Sequence, residues 1–120
     1  MSTISLTFSE LQVDPGKGKT MLAIFNGQLD ETNIEGEAQK FYQMLEIEKP
    51  KNCVFDFTGL VYLNSKSIGY IADWQGKVAG GGGKLIIFGV QKNIFDILDV
   101  VGLTKIIDLV EHVDEAKEAL

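Results

Sequence analysis

The chain has 120 residues, of which 45% are hydrophobic and 23% charged, and its formal net charge is −6. This composition is typical of a soluble globular domain, and the length predicts a single domain over residues 1–120. An acidic chain with no basic cluster is a poor candidate for direct DNA or RNA binding, because affinity for phosphates depends on Lys and Arg.

The sequence also argues against membrane insertion, secretion and metal chemistry. No apolar run approaches the roughly 20 residues that span a bilayer, and the first ten residues lack the pattern of a secretory signal. The lone Cys53 indicates a buried strand thiol in a reducing compartment, which predicts a cytoplasmic protein. One Cys and one His, His112, give no metal-ligand spacing, so no metal or other cofactor is expected.

The first third of the chain predicts a hairpin and then a helix. Residues 4–8 alternate in polarity, as in a half-buried strand, and residues 14–18 are rich in turn formers. The continuous apolar run 21–25 predicts a strand covered on both faces, which pairs with the first strand at one sheet edge. Apolar residues then recur every three or four positions, predicting a helix over about residues 31–48.

Strands and helices continue to alternate in the remainder of the chain. Pro50 excludes further helix. The patterns that follow predict strands at 53–57, 85–88 and 106–107, and helices at about 65–79, 94–101 and 113–120. On the second of the four helices, Trp74 is spaced with Ile71 and Val78, which favours the core over an interface for its side chain.

This alternation predicts an α/β fold with about five strands and about four helices. The sheet is expected to be mixed but mostly parallel, with an antiparallel pair at its N-terminal edge and right-handed crossovers. Functional surfaces of such sheets usually lie beyond the carboxyl ends of the strands. Those ends are predicted to carry the loops 26–33 and 58–67.

Two enzymatic interpretations fail on their motifs. The glycine run at residues 80–83 lacks P-loop spacing, since Val78 stands where the first glycine is needed and Leu85 where the hydroxyl is needed. The serines before the second helix lack the Gly-x-Ser-x-Gly pattern of a nucleophile elbow. The sequence therefore predicts a protein without catalysis of its own.

The loop before the second helix carries the clearest signal. Asn64 and Ser65 are good helix caps, because their side-chain oxygens accept bonds from the unpaired N–H groups of the first turn. Lys66 is not explained by capping, since a cation there opposes the helix dipole by roughly 0.3–1 kcal/mol. A helix N-terminus with a lysine suits an anion, including a phosphate attached to Ser65.

At these residues the chain resembles the STAS family, which comprises the bacterial anti-sigma factor antagonists and their relatives. The resemblance spans residues 4–120 and rests on four segments in order. They are Gly-Gln-Leu-Asp at 27–30, Asp-Phe-Thr-Gly-Leu-Val-Tyr-Leu-Asn-Ser-Lys-Ser-Ile-Gly at 56–69, Gly-Gly-Lys-Leu at 82–85 and Val-Val-Gly-Leu-Thr-Lys-Ile-Ile at 100–107.

The resemblance implies the STAS fold and a partner-switching function. Ser65 matches the residue that is phosphorylated by a serine kinase that is also the anti-sigma factor. The unphosphorylated protein is then expected to bind this kinase and release the sigma factor. Phosphorylation breaks this contact, and a phosphatase restores it by returning the protein to its unphosphorylated form. Asp30, Asn64, Ser65, Lys66 and Ser67 match the partner-binding surface.

Three departures from the family motif keep a second interpretation open. Asn64 replaces an Asp, Lys66 replaces the second Ser, and Ser67 replaces a Gly. These changes affect the positions that a kinase would recognise. The alternatives are a non-phosphorylated STAS interaction module of a transporter or sensory complex, in which Ser65 is only a helix cap, and a small-ligand-binding module.

Overall fold

A computed structural model describes residues 3–120, in which strands and helices alternate as the sequence predicts. The strands are β1 (Ile4–Leu11), β2 (Thr20–Leu29), β3 (Asn52–Leu63), β4 (Leu85–Phe88) and β5 (Asp108–Val110). The α-helices are α1 (Ile34–Glu48), α2 (Ser65–Gly80), α3 (Lys92–Val100) and α4 (Val113–Ala119). Two short 3₁₀ turns lie at Pro15–Lys17 and Leu103–Lys105.

The sheet has the strand order β1-β2-β3-β4-β5. β1 pairs antiparallel with β2, and every other neighbouring pair is parallel. The predicted α/β class, with its mixed sheet and antiparallel edge pair, is therefore confirmed. Among residues 3–120, none of the helices combines the length and hydropathy needed to cross a bilayer.

Both faces of the sheet are covered, which explains the continuous apolar runs at residues 21–25 of β2 and 85–88 of β4. The main core contains aromatic side chains from strands and helices; Trp74 is fully buried and stacks on Phe41 with ring centroids 4.8 Å apart. Phe25 and Phe55 pack beside them, 5.0 Å from each other. A smaller cluster on residues of β3, β4 and α4 consists of Val54, Ile86 and Ala116.

The predicted last strand at residues 106–107 is wrong. Ile106 and Ile107 follow a 3₁₀ turn, and both backbone N–H groups donate to the carbonyl of Leu103 at 3.1 and 2.9 Å. Ile107 is buried while Ile106 is exposed, so the apolar pair closes a turn over the core. The strand starts one residue later, with Asp108 opposite Ile86 of β4.

β2 and β3 extend further than the sequence predicts, so the predicted loops 26–33 and 58–67 are shorter. β4 pairs with β3 only up to Asp56, whereas β2 continues beside β3 as far as Leu63. The two strands shift register after Ile24. Gly59 permits this approach, because a Cβ there would lie 1.8 Å from the Asn26 side-chain oxygen. The extension carries the end of β3 beyond the rest of the parallel sheet.

Candidate functional site

The site lies where β2 and β3 end together. Leu29, the last residue of β2, is opposite Leu63, the last residue of β3. The residues that follow, Asp30 and Asn64, therefore lead into α1 and α2 at the same end of the sheet. The strand pairing thus brings together the two segments that the sequence singled out.

Asn64 is the N-cap of α2. Its backbone is extended, and its side-chain oxygen accepts hydrogen bonds from the Ser67 backbone N–H at 2.9 Å and the Ser67 hydroxyl at 2.8 Å. Ser67 is fully buried. Ser67 is predicted to belong to the partner-binding surface; in this structure its side chain is covered and contacts Asn64.

Two polar contacts join the start of α2 to the start of α1. The Asn64 side-chain amide donates to the Glu31 carboxylate at 2.8 Å. The Lys66 ammonium contacts the Glu35 carboxylate at 2.7 Å. This pairing lowers the pKa of Glu35 and raises the pKa of Lys66, in each case chiefly through their shared hydrogen bond. The anion that the sequence predicts for Lys66 is thus already supplied by the chain.

Neither Glu31 nor Glu35 was among the residues that the sequence assigned to this site. Both lie on the surface, more than 30 positions from their partners along the chain. The available signal was that two carboxylates four residues apart precede or begin a helix, while a lysine sits at a helix start where the dipole disfavours it. A lysine in that position indicates that a carboxylate lies nearby to offset the unfavourable interaction of its charge with the helix dipole.

Ser65 is the first residue of α2 and is exposed. Within residues 3–120, its hydroxyl makes no hydrogen bond, because the cap of α2 is provided by Asn64. A hydroxyl at this position is open to an approaching group from solvent. The arrangement is chemically suited to acceptance of a phosphoryl group by the serine oxygen.

Asp30 is mostly enclosed, with 8% of its surface exposed. Its carboxylate accepts hydrogen bonds from the backbone N–H and the hydroxyl of Thr32, and the Asn33 side chain accepts from the Asp30 N–H at 3.0 Å. These bonds fix the turn that leads into α1. The main role of Asp30 is therefore to fix the conformation of the loop that carries Glu31, because little of its own surface is exposed.

Exposed apolar side chains border the site at the end of β3. Tyr62 is 46% exposed and Val61 is 44% exposed. The carbonyl of Val61 accepts a hydrogen bond from the Asn93 side chain of α3 at 3.2 Å, which holds this strand end in place. Apolar surface of this kind beside polar groups is a usual feature of protein interfaces.

One group of side chains has the composition of a metal site. Glu111, His112 and Glu115 present ligand atoms within 4.8 Å of one another, and all three residues are exposed. A capping box at the start of α4 holds two of them together, since the side chains of His112 and Glu115 each accept from the backbone N–H of the other. Helix capping therefore accounts for the proximity of His112 and Glu115.

Solved structures share the fold of this chain. A Thermotoga maritima protein assigned to the anti-sigma factor antagonists has a TM-score of 0.77 and 16% identity, over 93% of this chain and 92% of its own. An anti-sigma factor antagonist from Mycobacterium paratuberculosis has a TM-score of 0.77 and 18% identity, over 96% of this chain and 93% of its own. The structure of phosphorylated SpoIIAA from Bacillus has a TM-score of 0.67 and 16% identity, over 94% of this chain and 98% of its own.

These similarities define the class of protein as an α/β domain with the fold of the anti-sigma factor antagonists. The sequence itself matches the STAS domain over residues 13–116. The chain belongs to the STAS domain family.

Proposed function

We propose that this protein is an anti-sigma factor antagonist that is switched by phosphorylation of Ser65. In its unphosphorylated form it binds a cytoplasmic anti-sigma factor that is also a serine kinase, and the sigma factor is released. Transfer of phosphate to Ser65 ends the complex, and a phosphatase reverses it. The protein acts as substrate and binding partner and performs no catalysis.

The observation that carries the proposal is the free, exposed hydroxyl of Ser65 on the first turn of α2. Asn64 and Lys66 on either side of it are held by contacts to Glu31 and Glu35, so the backbone around the serine is fixed. A kinase can reach such a hydroxyl without unfolding the helix. The similarity to a structure of phosphorylated SpoIIAA gives further support.

The same geometry explains how phosphate would disrupt a complex. Phosphorylation adds about −1.5 to −2 charge beside the carboxylates of Glu31 and Glu35, where Lys66 is the cation in contact and is already paired. Burying that charge in an interface without a new cation costs more than a modest interface gains. Partner release then follows from electrostatics, without a change of fold.

The test uses the full chain, ATP and the serine kinase anti-sigma factors of the same genome. Intact mass spectrometry should show the gain of one phosphoryl group, which is lost in Ser65→Ala. Ser9→Ala is the matched control, because Ser9 is also an exposed serine but lies on β1. Isothermal titration should show at least 100-fold weaker kinase binding after phosphorylation.

Two results would contradict the proposal. Phosphorylation that persists in Ser65→Ala would place the modified residue elsewhere. Tight binding to a partner with no phosphate transfer would favour the second candidate, a non-phosphorylated STAS interaction module of a transporter or sensory complex. The observation that favours this candidate is that Lys66 replaces a serine of the family motif and is paired with Glu35.

A further inference from the structure

The two edges of the sheet differ in length. At one edge, β5 has three residues, too few to pair extensively with another strand. At the other edge, β1 runs for eight residues from Ile4 to Leu11 and pairs with β2 on one side only. An edge strand presents a row of backbone N–H and C=O groups that another strand can use.

β1 lacks the features that usually protect an edge strand. Proteins block such edges with Pro, Lys, bulges or inward-pointing charges. β1 contains no Pro or Lys, and its pairing with β2 is continuous from Ile4 opposite Gly27 to Leu11 opposite Thr20. Its one charged residue, Glu10, lies next to the end of the strand.

An apolar groove runs beside this edge, between β1 and α1. The groove has a volume of about 570 Å³, and its apolar lining comes from Leu6, Phe8, Met21, Met44 and Ile47. Lys40 and Glu48 add one charge of each sign to its rim. The Ile47 side chain belongs to α1 and is 76% exposed. The open strand edge and an exposed apolar surface are thus next to each other.

We propose that β1 docks against β1 of a second copy, which gives a two-fold symmetric dimer with a continuous ten-stranded sheet. A two-fold axis requires each surface to be complementary to itself. An antiparallel pair centred on Thr7 meets this requirement, because Ser5 then lies opposite Ser9 and Leu6 opposite Phe8. Hydroxyl side chains pair on the outer face, and Leu6 pairs with Phe8 on the face of the groove, where Ile4 lies opposite Glu10 at each end of the pair.

The pattern of side chains also excludes registers shifted by one residue. Such a shift would place Thr7 opposite Phe8, so that polar and apolar side chains share a face. Registers centred on a residue keep the two faces separate, and the one centred on Thr7 pairs residues 4–10 of each copy.

The charges along β1 are compatible with a second copy as the occupant. No charged residue lies between Ile4 and Ser9, so no like charges meet in the centre of the pair. The two Glu10 carboxylates would lie at opposite ends, about 20 Å apart at the usual rise of a strand. That separation exceeds the Debye length of about 8 Å at physiological ionic strength. The net charge of −6 per copy still opposes association, so salt should strengthen the dimer.

Sedimentation and light scattering of the full chain between about 5 and 200 µM test this proposal. The expected mass is twice the 13.2 kDa of one chain. Thr7→Lys should weaken dimerisation at least tenfold, because two lysines then meet on the axis. Gln12→Lys is the matched control, since it adds the same charge at an exposed position just outside β1 and should leave the dimer unchanged.

Two further variants test the groove and the register. Ile47→Glu should weaken the dimer, whereas Val100→Glu should not, because Val100 is 86% exposed but lies on α3, away from β1. Thr7→Cys should form a disulfide between two copies under mild oxidation, and Gln12→Cys should not. A monomer at every concentration, or equal dimerisation of Thr7→Lys and Gln12→Lys, would overturn the proposal. Phosphorylation of Ser65 is measured separately and does not bear on this result.

Discussion

At the scale of the single residue, the side chain of Asn64 makes hydrogen bonds to two different parts of the chain. Its oxygen caps α2 through Ser67, and its amide donates to Glu31. An aspartate at this position would keep the cap but place a carboxylate against Glu31. The departure from the family motif at residue 64 is therefore matched to an acid in the neighbouring loop.

Asn64→Asp should accordingly lower the free energy of unfolding by about 1 kcal/mol at low salt, as a hydrogen bond is replaced by repulsion. Asn64→Ala, which also removes the cap, should lose about 1–2 kcal/mol. Urea unfolding at low salt and in 1 M NaCl measures the free energy of unfolding of both variants. The loss of stability in Asn64→Asp should be smaller at high salt, because salt screens the repulsion between the two carboxylates. An aspartate variant as stable as the wild type at low salt would show that the Glu31 contact contributes nothing.

Lys66 and Glu35 form an exposed ion pair whose pKa shifts can be measured directly. The pairing lowers the pKa of Glu35 and raises the pKa of Lys66. The attraction is therefore complete between the two transitions. It is lost as the pH falls through the lowered pKa of Glu35, or rises through the raised pKa of Lys66.

In Lys66→Gln, the pKa of Glu35 should rise towards its ordinary value because the cation that stabilises the carboxylate is gone. Carboxyl-carbon NMR titration of the wild type and the variant reports this change. Lys92→Gln is the control, since Lys92 pairs with Asp96 on a different helix. If the Glu35 titration is identical in wild type and Lys66→Gln, the pair is not formed in solution.

The residue scale is also where sequence reasoning was least complete. The burial of Ser67 gave no signal, because a small polar side chain after a helix cap looks the same whether it is covered or exposed. The partners of Asn64 and Lys66 lie in the loop before α1 and in its first turn, more than 30 residues away in the sequence. The strand pairing of Leu29 with Leu63 is what brings them together.

At the scale of the element, the turn between α2 and β4 depends on close backbone contact. A Cβ on Gly83 would lie 1.5 Å from the carbonyl oxygen of Lys51, just before β3 begins. The next residue, Lys84, donates its N–H to the Asn52 side chain at 3.0 Å, which holds the two segments together. Within the glycine run at residues 80–83, Gly83 is thus required by packing.

Gly83→Ala should lower the free energy of unfolding by about 3 kcal/mol, since neither backbone can move without breaking these bonds. Gly80→Ala is the matched control: no atom lies within 4 Å of its Cβ position, and alanine favours the helix that ends there. Thermal or urea unfolding distinguishes the two variants. Equal stability of both would mean that the turn relaxes freely.

Helices and strands with a strong period were predictable from the sequence, and short ones were not. The stripes of α1 and α2 and the apolar runs of β3 and β4 are confirmed, because each buries a regular face. The start of the last strand was predicted two residues too early, because Ile106 and Ile107 are an apolar pair that follows a 3₁₀ turn. The end of β3 was missed because Thr58 and Gly59 resemble turn residues.

At the scale of the whole molecule, Cys53 links folding to alkaline pH. Burial raises the pKa of its thiol to about 12, whereas an unfolded thiol ionises near its ordinary value. At pH values between these two pKa values, the Cys53 thiol is ionised in the unfolded state and protonated in the folded state. The fold should therefore lose stability as the pH rises above about 9, by at most about 1.4 kcal/mol per pH unit.

Cys53→Ala removes this ionisation and leaves a small cavity. The variant should be less stable than the wild type at pH 8, and the difference should narrow by pH 10.5. Urea unfolding at the two pH values provides the measurement. A constant difference between them would show that the buried thiol has no part in the alkaline loss of stability.

The position of Trp74 has a practical consequence for such experiments. It is the single tryptophan of the chain, and its indole lies in the aromatic core, away from solvent. Its emission should therefore shift to the red when the chain unfolds and should stay unchanged when another protein covers the start of α2. The intrinsic tryptophan fluorescence of this protein therefore reports folding and not binding. Titrations with a ligand or a partner need a fluorescent label attached to a surface residue.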